Sequence, residues 1–442
     1  MTSSTPPPSP PGAPPAQPLE APEPASRATV WSWCLYDWAN SAFTTLVVTF
    51  IYSAYFTAAF ADDPGRGTAL WSRAIMVSAI AIALLAPIAG ALADRGGRRK
   101  YLILCSLVCV VTTAALTFVT PGMANSVLIA LGVFVLANVA FELGLVFYNA
   151  FLPSIAPADR IGRISGYGWG LGYGGGLMAL VAALVVFVPE TPLFGISTEQ
   201  GFNLRATNLL VAGWFLLFSI PAFVFLKDDW TPGGVSIVRA FSDLAVTARH
   251  MRRYRQVVMF LLARLFYNDG LVTIFAFGGI YAVGTFGFTF TELVTFGIVI
   301  NVGAGLGALA FGFLDDWIGG RATIALSVLA LAIATIVAAV APNQTWFWVA
   351  AVLVGVFAGP NQSASRSLMA RFVPSRHESE FFGFFAFSGK VTSFLGPALL
   401  GVLSDLYSQR VGVASLLVFF VVGGLLLWRV DERQAIADAR SA

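Results

Sequence analysis

Twelve predominantly apolar stretches of about 20 residues run through this chain of 442 residues. A stretch of that length crosses a hydrocarbon layer of roughly 30 Å as one helix, and inside that layer each backbone amide must be satisfied within its own segment. The runs are continuous rather than alternating, so they have the wrong period for a transmembrane barrel. They fall at about 31–59, 72–93, 101–119, 126–150, 166–188, 207–226, 257–284, 293–314, 322–341, 345–369, 381–405 and 411–429. Composition agrees: 11% of the residues are charged, against about 25% in a soluble domain, and mean hydropathy is +0.78. The expected fold class is an all-α membrane protein with twelve transmembrane helices.

The ionisable residues divide these spans by a period of three. Apolar segments 102–119, 209–226, 322–340 and 411–428 contain no Asp, Glu, Lys, Arg or His. Asp37 and Asn40 lie in the first span, Asn138, Glu142 and Asn149 in the fourth, Arg264, Asn268 and Asp269 in the seventh, and Asn361, Gln362 and Arg366 in the tenth. That spacing predicts outer helices that face lipid and inner helices that line something polar. A polar interior repeated in register is what a carrier needs.

The net charge of +3 says less than its placement. Of the 26 Lys and Arg, nineteen fall on the side of the N-terminus, four on the other side (Arg66, Arg73, Arg205, Arg410) and three inside spans (Arg264, Arg366, Lys390). Positive charge marks the cytoplasmic side, so both termini are expected there. Residues 1–26 hold ten prolines and no Lys or Arg. They lack the basic start and apolar middle of a signal peptide and read as a disordered tail. Cys34, Cys105 and Cys109 read as small core residues.

The chain also repeats itself. Gly90, Asp94, Arg95, Gly97, Arg98 and Arg99 follow the second span, and Gly312, Asp316, Gly319 and Arg321 follow the eighth; Gly90 to Gly312 and Asp94 to Asp316 share an offset of 222. Pro157 to Pro374 and Gly166 to Gly383 share an offset of 217. The expected organisation is a tail at 1–28, six-helix bundles at 29–227 and 257–430, a cytoplasmic linker at 228–256 and a second tail at 431–442. Parallel repeats of this kind place a solute site between the halves near the membrane midplane.

The turn after the second span resembles the loop signature of the major facilitator superfamily between its second and third helices. Tyr36, Asp37, Trp38, Ala39, Asn40, Ser41, Ala42 and Phe43 in span one, with Tyr267, Asn268, Asp269, Gly270, Gly389, Lys390, Gly396 and Pro397 later, narrow the resemblance. Together they look like the "unknown major facilitator" branch, which includes autophagy-related vacuolar amino-acid effluxers. The resemblance implies two pseudo-symmetric six-helix bundles, alternating access and a basic turn that braces the cytoplasmic gate. It also suggests amino-acid efflux, and the lack of long insertions points to a bacterial plasma membrane rather than a vacuole.

A charge at the membrane centre costs about 2.5–3.5 kcal/mol on insertion scales, so those retained there are candidates for function. The substrate and coupling candidates are Asp37, Asn40, Glu142, Asn268, Asp269 and Lys390. Glu142 is the first choice for proton coupling, a fixed ion pair with Lys390 or Arg264 being its structural alternative. Lys390 can receive a solute carboxylate. Asp37, Arg264 and Arg366 lie near a cytoplasmic end and are expected to snorkel. The candidate gate comprises Gly90, Asp94, Arg95, Gly97, Arg98, Arg99, Asp316, Arg321 and Arg366, with Asp94 placed to accept from a neighbouring helix N-terminus and Asp316 expected to pair with Arg366. Tyr36, Trp38, Tyr148, Tyr167, Trp169 and Tyr173 are candidate cavity linings, and Gly166, Gly170, Gly174, Gly303 and Gly307 permit close helix contact.

No phosphate loop, metal cluster or nucleophile with its base occurs, so no cofactor, catalytic residue or metal site is expected, and the chain does not read as an enzyme. The partners expected are a small-molecule solute, the lipid bilayer and protons, with no nucleic acid, and the carrier is expected to act as a monomer. The rival class is a non-transporting sensor or scaffold built on a carrier fold.

Overall fold

A bilayer gives an unpaired amide nothing to bond, and a helix follows from that constraint in each apolar span. The computed structural model describes residues 25–228 and 254–441, except 62 and 376. Among them no strand forms, and twelve helices are long and apolar enough to cross a membrane. In chain order these are α1 (Arg27–Ala59), α2 (Gly65–Gly96), α3 (Arg98–Leu116), α4 (Ser126–Ile155), α5 (Ile161–Val186), α6 (Glu199–Phe225), α7 (Arg255–Phe286), α8 (Thr291–Ile318), α9 (Gly320–Val340), α10 (Gln344–Phe372), α11 (Glu378–Leu406) and α12 (Gln409–Trp428). A short amphipathic helix, α13 (Glu432–Arg440), follows. The proline-rich tail and most of the linker, with His250, lie outside the described residues.

The helices pack as two six-helix bundles with matching neighbours. α6 packs on α1 and α3 as α12 packs on α7 and α9, and α3 meets α4 as α9 meets α10. The bundles touch along two seams, α2 on α11 and α5 on α8. α3, α6, α9 and α12 present their apolar side chains outward, among them Val111, Leu217, Leu329 and Leu425. These helices carry the segments 102–119, 209–226, 322–340 and 411–428, which hold no Asp, Glu, Lys, Arg or His. At the far ends the halves match again: Arg205 Nη1 donates to the Thr117 carbonyl at 2.7 Å, and Arg410 Nη1 to that of Ala339 at 3.0 Å. We call the face on which α1 starts and α12 ends the basic face.

Two helices depart from uniform spans. The outer half of α1 is a π-helix over Phe43–Phe50, where Thr49 Oγ1 donates to the Thr44 carbonyl. α11 breaks into Glu378–Lys390 and Leu395–Leu406, joined by a turn at 391–394. Pro397 has no N–H to give the Ser393 carbonyl, so a continuous helix would lose that bond. Proline alone is not sufficient, because Pro87, Pro221 and Pro360 sit inside unbroken helices. The second contributor is Asp269 of α7, whose Oδ2 accepts from the Gly396 N–H at 3.1 Å and so caps the second half.

Glycine sets the seams. A Cβ on Gly90 would overlap the Ser379 carbonyl of α11, and one on Gly312 would lie 2.9 Å from the Arg163 Cα of α5. The two glycines one repeat apart therefore let α2 and α8 cross the opposite bundle at backbone contact. Replacing Gly90 with valine should hold the basic face apart. The check is thiol labelling of Ser379→Cys, fully buried in the parent: labelling rises in the valine variant, and unchanged labelling contradicts the crossing described here.

Candidate functional site

Four carboxylates cap four helix N-termini at the basic face. Asp94, ending α2, accepts from the Ser379 and Glu380 N–H groups of α11 at 2.8 and 2.9 Å. Asp316, ending α8, accepts from the Gly162 and Arg163 N–H groups of α5 at 2.7 and 3.2 Å. Both caps cross between bundles. Asp228 accepts from the Arg99 N–H of α3, and Glu432 accepts from the Gly320 and Arg321 N–H groups of α9; these stay within a bundle. A negative charge against the partial positive charge of a helix N-terminus is favourable each time. Gly97 (φ 90) and Gly319 (φ 93) make the turns that precede α3 and α9.

The expected gate residues divide accordingly. Arg98 bridges, donating to the Ala150 carbonyl at 2.6 Å and lying 3.9 Å from Glu378 of α11. Arg99 and Arg321 do not cross: Arg99 Nε donates to the Phe223 carbonyl and Arg321 Nη2 to that of Trp428, each inside its own bundle. Arg95 lies in the last turn of α2. The expected Asp316–Arg366 pair does not form. Asp316 pairs with Arg163 at 2.5 Å and lies 3.6 Å from Arg371, while Arg371 holds buried Asp315 at 2.5 Å. Asp315 also accepts from Ser367. Arg371 and Arg163 were missed because neither lies in the repeated motif.

Arg366 instead reaches across into the N-terminal bundle. Its Nη1 donates to Asp37 Oδ2 at 2.8 Å and to Asn149 Oδ1 at 3.4 Å, its Nε to Ser165 Oγ at 3.0 Å, and its Nη2 to the Ser165 carbonyl at 2.7 Å. The guanidinium lies 4.6 Å from the Trp33 ring centroid and 5.5 Å from that of Trp169. Both charges are buried, Arg366 at 3% and Asp37 at 7% exposure, so neither snorkels. Arg264 does not either: it donates to the Phe385 carbonyl and Ser388 Oγ, with its plane 3.6 Å from the Phe385 ring. Asn40 lies beside Asp37, donating to it at 3.4 Å.

Glu142 and Lys390 meet from opposite bundles, Lys390 Nζ donating to Glu142 Oε1 at 2.6 Å. Their side chains are 18% and 30% exposed, against 3% and 11% for those of Arg366 and Asp37. Lys390 sits at the C-terminal end of the first half of α11, where the helix dipole favours a cation. Across the break, Asp269 is buried; its Oδ1 has no hydrogen-bond partner, and Thr273 Oγ1 donates to its backbone carbonyl. Asn268 Nδ2 donates to the Gly389 carbonyl at 3.4 Å. Trp38, Trp169 and Tyr173 are half-buried, and Tyr173 OH donates to Gln362 Oε1 of the other bundle. Tyr36 and Tyr148 belong instead to the packed core, stacked on each other. Tyr167 stacks on Trp31 rather than on any of these groups.

Among the described residues, every polar contact between the bundles lies within about 20 Å of the basic helix ends, taking 1.5 Å per residue. The molecule is thus fastened on one side, with Glu142 and Lys390 at the inner limit of the fastening. His377 adds a pH-sensitive element there. The hydrogen bond to Glu380 at 3.2 Å holds its imidazole above the ordinary range, against the opposing effect of burial. A raised value means the protonated form supports the fold at low pH, and that support is lost as pH rises through the raised value. Parent protein should be more heat-stable than His377→Gln in mild acid and equal to it in alkali, by differential scanning fluorimetry. A constant difference at all pH values would contradict the assignment.

A protein-family model described as "Vacuole effluxer Atg22 like" matches residues 66–440. The chain belongs to this family. As an Atg22-like protein it is a transporter of the major facilitator superfamily and not an enzyme. It is 30% identical to the "Uncharacterized MFS-type transporter YxiO" of Bacillus subtilis (strain 168), over 91% of this chain and 94% of that one. It is 28% identical to "Autophagy-related protein 22" of Cryptococcus neoformans var. neoformans serotype D (strain JEC21 / ATCC MYA-565), over 63% of this chain and 52% of that one. The Atg22-like chain thus spans about half the length of this fungal relative. Solved structures share the fold at low identity. The human organic anion transporter MFSD10 superposes with a TM-score of 0.72 at 15% identity, covering 92% of this chain and 100% of that one. The transporter FucP in the outward conformation gives 0.71 at 15% identity, over 92% and 100%.

Proposed function

We propose that this protein is a secondary active transporter that moves a small polar or zwitterionic organic solute by alternating access, with amino acids the first class to test. The observation that carries the reading is the partly exposed Glu142–Lys390 pair, contributed by opposite bundles beside the break in α11. A zwitterion brings one ammonium and one carboxylate, and so can replace each member of the pair for the other. Binding then exchanges one cross-bundle contact for two solute contacts, which loosens the fastening that closes the basic face. Asn268 and Asn40 offer neutral donors and acceptors near the two bundles' acids, and Asp269 holds the break in place. Coupling to protons follows if Glu142 is protonated once Lys390 turns to the solute.

In this reading Asp94, Asp316, Arg98 and Arg366 hold the cytoplasmic gate shut, the basic face is cytoplasmic, and the protein acts as a monomer in a bacterial plasma membrane. A vacuolar membrane is the alternative suggested by the name of the family. The two bundles would be bounded at 29–227 and 257–430. The test is uptake of labelled amino acids, peptides and sugars into proteoliposomes with an imposed pH gradient. Accumulation of one class, abolished by a protonophore, supports the reading, and equilibration of none of them refutes it.

A further inference from the structure

At the basic face, the α8–α9 turn and the junction of α12 with α13 enclose an open groove of about 740 Å³. Its walls carry Arg321, Arg429 and Arg433, with the indoles of Trp317 and Trp428 at its rim, 84% and 76% exposed. Two carboxylates also line it, and both are occupied: Glu432 caps α9 and lies 3.9 Å from Arg371, and Asp431 accepts from the Gln434 N–H as the cap of α13. Arg321 uses one nitrogen on the Trp428 carbonyl. Among the described residues, the side chains of Arg429 and Arg433 make no hydrogen bond or ion pair, Arg429 bonding only through its backbone N–H to the Leu426 carbonyl. The groove therefore holds unneutralised positive charge.

Its position indicates what neutralises that charge. α9 and α12 are outer helices without ionisable residues across 322–340 and 411–428. Leu329, Val421 and Leu425 lie exposed on these two helices. Indoles of this kind sit at the headgroup level of a bilayer, with acyl chains beneath them. α13 does not lie on the membrane as an anchor: Ala435 is buried, and the helix packs on α10 and α7, which fixes Arg433 in place. We infer that this groove binds one anionic phospholipid of the leaflet at the basic face, its phosphate on Arg429 and Arg433 and its chains along α9 and α12. A guanidinium pair suits a phosphodiester because its planar donors can meet two oxygens.

The test uses the full chain in phosphatidylcholine nanodiscs doped with phosphatidylglycerol or phosphatidylcholine brominated on the acyl chains. Tryptophan quenching should be stronger with the anionic lipid at equal mole fraction. That excess should disappear in Trp317→Phe/Trp428→Phe. In Arg429→Gln/Arg433→Gln the preference should fall by roughly an order of magnitude, each lost charge near an anionic surface counting for about that much or less. Arg429→Lys/Arg433→Lys, which keeps the charge, should retain most of it and controls for folding. Equal quenching by the two lipids overturns the inference, as does an excess unchanged in the Gln variant. Free glycerol phosphate supplies the same phosphate without chains. If it abolishes the excess at millimolar concentration the groove is a soluble-anion site, and the lipid assignment is wrong.

Discussion

Replacing Arg366 with alanine is expected both to abolish transport and to destabilise the protein by about 3–5 kcal/mol, the usual cost of stranding one member of a buried ion pair. The alanine leaves Asp37 buried without its guanidinium and releases Asn149, Ser165 and the Trp33 face together. Arg366→Lys should recover only part of either loss, because a point charge cannot donate in three directions to Asp37, Asn149 and Ser165. The informative variant is Asp37→Leu/Arg366→Met. Exchanging a buried pair for apolar residues is often neutral for stability, so this double variant should fold nearly as well as the parent. It should still fail to transport if the pair serves closure of the gate. Thermal unfolding and uptake measured on the same preparations separate the two effects. A double variant that transports at the parental rate would reduce Asp37–Arg366 to packing.

Glu142 and Lys390 should behave in the opposite way. Both side chains are partly exposed, so the pair should contribute little to stability, within about 1 kcal/mol, and Glu142→Gln or Lys390→Ala should unfold near the parental temperature. Gradient-driven uptake should fall at least about tenfold in either, the scale of a lost charge-assisted contact of roughly 1.5–3 kcal/mol. The two variants should differ in kind. Glu142→Gln keeps a polar side chain for the solute and should retain exchange of solute for solute while losing accumulation driven by a pH gradient. Lys390→Ala removes the group proposed for the carboxylate and should lose both. Exchange and gradient-driven uptake lost to the same degree in Glu142→Gln would remove that residue from coupling.

The twelve spans, their repeat and the lipid-facing set were legible because hydrophobic length and charge placement are properties of the chain alone. Asp94 was also readable as a cap, since a carboxylate just before a Gly-containing turn has few other uses. The partner of Arg366 was not. Asn149 and Arg366 occupy equivalent positions of the 217-residue repeat and are bonded, yet Asp37 on α1 is the main acceptor. Helix register within one chain does not determine which side chain of another bundle a guanidinium reaches. The same limit hid Arg371 and Glu432, whose neighbours are brought together only when α13 folds back on α10. The break in α11 had a visible signal in Gly396–Pro397, but three other prolines sit in continuous helices. The cap from Asp269, which distinguishes this one, comes from a helix more than a hundred residues away.

If the bundles rock about a site held between them, electron–electron distances across the two faces must change in opposite senses. One spin-label pair at Phe194→Cys and Tyr407→Cys reports the face opposite the basic one, and a second at Asp159→Cys and Glu378→Cys reports the basic face, with Cys34, Cys105 and Cys109 replaced. On addition of a transported solute the first distance should shorten while the second lengthens. Distances that stay fixed in both pairs, under solute and across pH, would mean a permanently fastened scaffold and no alternating access.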